Sequence, residues 1–187
     1  MQSCAVAVVW LLLSWAGETL AITRNERGAL KLLYWATHGQ RWAAQWDIQN
    51  EHSDPCLDNV RGWYGIVCDR NGRIRSIRLA NNNLVGVLPP EFPRSDLSGL
   101  QELDLSSNFL TGYVPETMSR LIGLRTLRLD RNHFVGAIPA SLAKLAKLEF
   151  LEVQDNNFDP LNSNGAVLPA EVQQLTDSEG QHCHIIS

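Results

Sequence analysis

The sequence predicts an α/β fold. It is a right-handed solenoid with a parallel sheet along its concave side, a helical, disulfide-bearing N-terminal cap and a short irregular C-terminal cap. Three observations carry this expectation. One frame, LxxLxLxxNxLxGxIP, recurs in "IRSIRLANNNLVGVLP" from Ile74, "LQELDLSSNFLTGYVP" from Leu100, "LRTLRLDRNHFVGAIP" from Leu124 and, shortened, "LEFLEVQDNNFDP" from Leu148. Its Asn falls at Asn82, Asn108, Asn132 and Asn156, so the spacings are 26, 24 and 24. A helix-like segment and a Trp- and Cys-rich stretch precede the first copy.

Each letter of the frame has a physical task. Side chains alternate across a short strand, so in LxLxx the leucines point inward and the intervening residues outward. The Asn turns inward at the strand end, where its amide can bond backbone groups that a bend leaves unpaired. Leu84, Leu110, Phe134 and Phe158 take the next core position. Gly86, Gly112 and Gly136 suit a tight bend, and Pro89, Pro115 and Pro139 start the return along the convex side. One turn cannot bury its own core, so about three or more must stack, with capped ends.

A period in the twenties with this frame is similar to the leucine-rich repeats. The "GxIP" ending resembles the plant-type repeats of receptor ectodomains and secreted inhibitors. Upstream, "TRNERGALKLLYWATHG" predicts a helix: Thr23 and Glu26 have capping-box spacing, Ala29, Leu32, Leu33 and Ala36 form one apolar face, and Gly39 is a stop signal. The skeleton W…DPC…WYGIVCD.NGRI then resembles the N-terminal cap of plant-type repeats, placing Trp46, Cys56, Trp63, Gly65 and Cys68 on cap positions. Asn71-Gly72 reads as a hairpin turn into the first repeat. The resulting division is 1–21 signal peptide, 22–73 cap, 74–160 four repeats and 161–187 C-terminal cap.

The signal-peptide expectation rests on "CAVAVVWLLLSWA", an apolar run too short to span a membrane, followed by small residues at cleavage spacing. No other run has membrane length. The mature protein is therefore expected to be secreted, where disulfides form. Of the cysteines left after cleavage, Cys56 and Cys68 are near neighbours and are paired; Cys183 is left over, its fate open. A net charge of −4 gives no reason to expect a nucleic acid or an acidic membrane as partner.

Enzyme chemistry finds little support. Nucleotide-loop glycines, GxSxG and HExxH do not occur. His52, Ser53 and Asp54 name triad residues, but neighbours in sequence rarely meet in triad geometry. His182, Cys183 and His184 could ligate a metal, yet a fourth ligand is not evident. We expect no catalytic residues, no metal and no cofactor.

Binding is expected on the outward letters of the concave strands. The charged column Arg78, Asp104, Arg128 and Glu152 either pairs with itself or is read by a partner. Glu102, Thr126, Asp130 and Arg131 flank it, with Phe150 as an apolar anchor. The sequence thus predicts a non-catalytic binding module for a protein or peptide. An inhibitor resembling the polygalacturonase-inhibiting proteins and a co-receptor-like ectodomain of a truncated receptor kinase are the alternatives. The partner's identity and the oligomeric state stay open.

Overall fold

The computed structural model describes residues 23–57, 62–93, 97–159, 168–177 and 184–186. The expected signal peptide, His182 and Cys183 lie outside the described residues.

Helix α1 spans Arg24–Ala36. Its capping box closes in both directions: Glu26 N donates to Thr23 Oγ1 at 3.2 Å, and Thr23 N donates to Glu26 Oε2 at 3.3 Å. The buried face is Glu26, Ala29, Leu30, Leu33 and Tyr34, so Leu32 and Ala36 are only half-buried. This corrects the expected face, which is rotated toward Tyr34. The cause is the aromatic stack that follows: Tyr34 meets Trp42 at 5.2 Å between ring centres, and Trp46 stacks on Trp63 at 5.0 Å. Each buried indole N–H has an acceptor, on Thr37 O, Tyr64 O or Ser53 Oγ. Gly39 opens a 3₁₀ turn, Gly39–Arg41, against the Tyr34 ring.

Cys56 and Cys68 form a disulfide across the cap. Strand β1 (Ile66–Cys68) pairs antiparallel with β2 (Ile74–Arg78) through a turn in which Gly72 N donates to Asp69 O at 3.0 Å and Gly72 takes a φ of +69°. From β2 onward the strands run parallel: β4 (Glu102–Asp104), β6 (Thr126–Arg128) and β8 (Phe150–Glu152), one per repeat. A second, lateral sheet follows each concave strand: β3 (Val85–Val87), β5 (Phe109–Gly112), β7 (His133–Gly136) and β9 (Asn157–Phe158). Between the sheets, Leu79, Leu84, Leu103, Leu105, Leu127, Leu129 and Phe134 are fully buried. Pro115 and Pro139 precede the convex 3₁₀ segments Glu116–Arg120 and Ala140–Lys144, which bury Met118 and Leu142.

The C-terminal segment is more regular than its sequence suggests. Helix α2 (Ala170–Asp177) packs on the last convex turn and buries Val172. Strand β10 (His184–Ile186) pairs parallel with β8, adding a sixth strand to the concave sheet.

The candidate binding face and the ladder behind it

Two polar columns run up the solenoid. The inner one is asparagine. Asn108 Nδ2 lies within 3.0 Å of the carbonyls of Leu105 and Ser106 and at 2.8 Å from that of Leu79 in the preceding repeat. Its Oδ1 accepts from the backbone N–H of Asn82 and Leu84, both at 3.0 Å. Asn132 repeats the pattern, donating to Leu105 O and Leu129 O and accepting from Leu110 N, and Asn156 does so toward Leu129 O and Phe134 N. Asn82 has no repeat before it and bonds the cap instead, accepting from Ala44 N at 2.6 Å. Each amide thus joins its own bend to the neighbouring turn. The residue before each ladder Asn (Asn81, Ser107, Arg131, Asp155) is left-handed, with φ between 52° and 56°. That bend aims the amide inward; Asn81 and Asp155 tolerate it, and at Ser107 and Arg131 it is held despite the steric cost to the side chain.

The outer column is ionic. Arg78 grips Glu102, with Nε at 2.9 Å from both carboxylate oxygens and Nη2 at 2.6 Å from Oε2. Ser76 Oγ donates to the same Oε2 at 2.8 Å. The Arg78 guanidinium, joined by Ser76, holds the Glu102 carboxyl below its ordinary value. Arg128 grips Glu152 at 2.8 Å and lies 3.9 Å from Asp104. The third and fourth repeats are joined by three rungs: Arg125–Glu149, Arg128–Glu152, and Arg131–Asp155 at 3.6 Å. The expected column therefore pairs with itself, but Arg78 reaches diagonally to Glu102 rather than straight across to Asp104.

Two residues expected on the exposed face are not there. Asp130 is 2% exposed and Asp104 8%. Strand alternation sends both outward, but the overlying arginines cover them: Arg131 Nη1 lies 3.9 Å from Asp130, as Arg128 does from Asp104. Asp104 accepts from Ser106 Oγ at 2.6 Å. Asp130 Oδ1 and Gln154 Oε1 are the buried side-chain atoms left without a hydrogen-bond partner among the described residues. Burial, reinforced by the charge of Glu152, pushes the Asp130 carboxyl above its ordinary value against the pull of Arg128. Glu102, Thr126, Arg128 and Glu152 are half-exposed, and Arg78, Arg131 and Phe150 are exposed.

The sequence did not single out the ends of this face. In register, Ser76, Glu102, Thr126 and Phe150 continue to Val67 on β1 and His184 on β10. Ile186 lies opposite Glu152. Period-2 alternation around Val67 was the only available signal. Two of the candidate triad residues serve structure: Ser53 Oγ accepts from Trp63 Nε1 at 2.7 Å, and Asp54 Oδ1 accepts from Cys56 N at 2.8 Å.

Known proteins agree with this architecture. The leucine rich repeat family matches residues 72–134. A putative leucine-rich repeat receptor-like serine/threonine-protein kinase of Arabidopsis thaliana is 39% identical over 122 residues, which is 65% of this chain and 12% of the kinase. The curated relatives it matches are far longer; the chain spans 4–12% of their length. Among solved structures, the BIR3–SERK2 complex from Arabidopsis thaliana aligns with a TM-score of 0.56 and 28% identity, over 70% of this chain and 68% of that one. The PEPR1–AtPEP1 structure aligns with a TM-score of 0.56 and 27% identity, over 73% of this chain and 18% of that one. Residues 72–134 thus match the leucine rich repeats, and the chain is similar to the repeat region of plant receptor kinases and to their ectodomains.

Proposed function

We propose that the protein is an exported, non-catalytic binding module that recognises a protein or peptide through its concave face. The observation that carries this is the division of labour within each strand. Leu127, Leu129 and Asn132 are consumed by the core and ladder, whereas Arg128 and Glu152 form a half-exposed, ion-paired pattern outside the core. One similar structure, BIR3–SERK2, is a complex, which supports a binding role. The Cys56–Cys68 disulfide supports an oxidising location, with residues 1–21 as export signal and 22–73, 74–160 and 161–187 as cap, repeats and end cap.

The experiment is affinity capture from extracellular fluid with the wild-type chain and with the double variant Arg128→Ala/Phe150→Ala. The double variant should fold and lose partners that the wild type holds. Equal capture by both would remove the concave face from consideration. A co-receptor-like ectodomain is the second reading, favoured by the match across 68% of the chain in the BIR3–SERK2 structure.

A further inference from the structure

Resting on that reading, we infer that the concave face takes an extended peptide with two apolar side chains about six positions apart and uncharged residues between them. Two features of the face set this chemistry. The first is its ends. Val67 on β1 is 39% exposed, and at the other end Phe150 and Ile186 are 46% and 39% exposed. His184 lies beside Phe150, with ring centres 6.3 Å apart. The row from Val67 to Phe150 crosses four inter-strand steps, roughly 19 Å. An extended chain covers about 3.3–3.6 Å per residue, so some six residues bridge the anchors. Six is even, and alternate residues of an extended chain face one side, so both anchor side chains point at the sheet.

The second feature is the middle. Between the anchors, Glu102 is occupied by Arg78 and Ser76, and Glu152 by Arg128. A cationic peptide side chain would have to displace Arg78 or Arg128 from its carboxylate, and an anionic one would have to take the arginine away. Either exchange trades one ion pair for another and desolvates a charge besides, so it yields no net attraction. Neutral Ser, Thr, Asn or Gly leaves both pairs standing and can hydrogen-bond to their free edges. This surface therefore selects against charge at the centre and gathers its affinity at the two ends.

The probe is a displayed library of random ten-residue peptides, panned on the purified full chain with its disulfide intact. Enriched peptides should carry two apolar residues six positions apart with uncharged residues between. Synthetic versions, read by fluorescence anisotropy, should lose about tenfold in affinity on Phe150→Ser or on Val67→Ser, both exposed positions whose change spares the fold. Placing Lys or Glu at the peptide centre should weaken binding similarly. Thr126→Trp, or Thr126→Arg should the first not fold, obstructs the middle of the row. If selected peptides lose binding on that change yet show charged centres or indifference to Val67 and Phe150, this inference is wrong and the concave reading stands. If they bind the Thr126 variants unchanged, the concave reading falls with it. No enrichment at all overturns the peptide inference.

Discussion

The asparagine ladder and the arginine–carboxylate ladder climb the same solenoid, and both are almost fully paired. They differ in water. Asn108 and Asn132 are buried, and each amide closes bonds to two turns at once. Arg78 and Arg128 stand half in solvent and hold their carboxylates from the surface. A buried amide that is lost strands backbone groups with no water to replace it, whereas a surface pair that is lost is rehydrated. One column is therefore scaffold, and the other is free to carry recognition.

The largest effect should come from Asn108→Ala, which strands two backbone N–H groups and three carbonyl contacts. We expect a loss of about 3 kcal/mol, a fall in Tm of roughly 6–12 °C for a chain of this size. Urea unfolding measures it; a loss below about 1 kcal/mol would mean the ladder is not what joins the turns.

Next is the staple in the cap. Reduction, or Cys56→Ser with Cys68→Ser, releases a closure of 12 residues and should cost about 2–3 kcal/mol. Proteolysis should then begin in the cap, because its Trp46–Trp63 stack loses the tether while the repeats keep theirs.

Asp130 tests the boundary between the two columns. It sits at an outward position but is buried, with one oxygen unpartnered. Because its carboxyl is raised in the folded state, that state holds the proton more tightly than the unfolded chain does. Stability should fall as pH rises from the ordinary Asp range through the raised value, and the penalty should persist at neutral pH. Asp130→Asn supplies a neutral group of the same shape. It should raise stability at pH 7 by about 1 kcal/mol and flatten that part of the pH profile. A destabilised variant would show that the ionised carboxylate is held by Arg128 and Arg131 after all.

The smallest effect belongs to the exposed pairs. A double-mutant cycle on Arg128→Ala and Glu152→Ala should give a coupling of about 0.2–1 kcal/mol, shrinking with added salt. A coupling above about 2 kcal/mol would make the ionic column part of the scaffold.

How much of this was legible in the sequence follows from which interactions are local. The capping box of Thr23 and Glu26, the Asn71-Gly72 turn and the inward leucines are set by spacing, and spacing was visible. The face of α1 was not. Both Ala29-Leu32-Leu33-Ala36 and Ala29-Leu30-Leu33-Tyr34 make a helical stripe, and the choice is fixed by Trp42 and Trp46, which arrive later in the chain. Alternation gave the direction of Asp130 but not its depth, because depth depends on the arginines laid over it. The roles of Glu26 beyond the cap were likewise hidden: its second oxygen takes Arg73 at 3.0 Å and Ile74 N at 3.2 Å, tying the helix to the first repeat. The lateral sheet and β10 were not read: their strands run two to four residues, pair with neighbours 22 to 34 positions away, and lack the LxL alternation that marks the concave strands.

The central claim is that the concave face can be altered without touching the scaffold. The most direct measurement takes the Arg128→Ala/Phe150→Ala chain and records its Tm beside its binding to partners captured by the wild type. The account predicts a Tm within about 2–4 °C of wild type, given that exposed contacts of this kind contribute about 1 kcal/mol in total, together with loss of the captured partners. An unchanged set of partners, or a collapse in Tm comparable to that of Asn108→Ala, would contradict it.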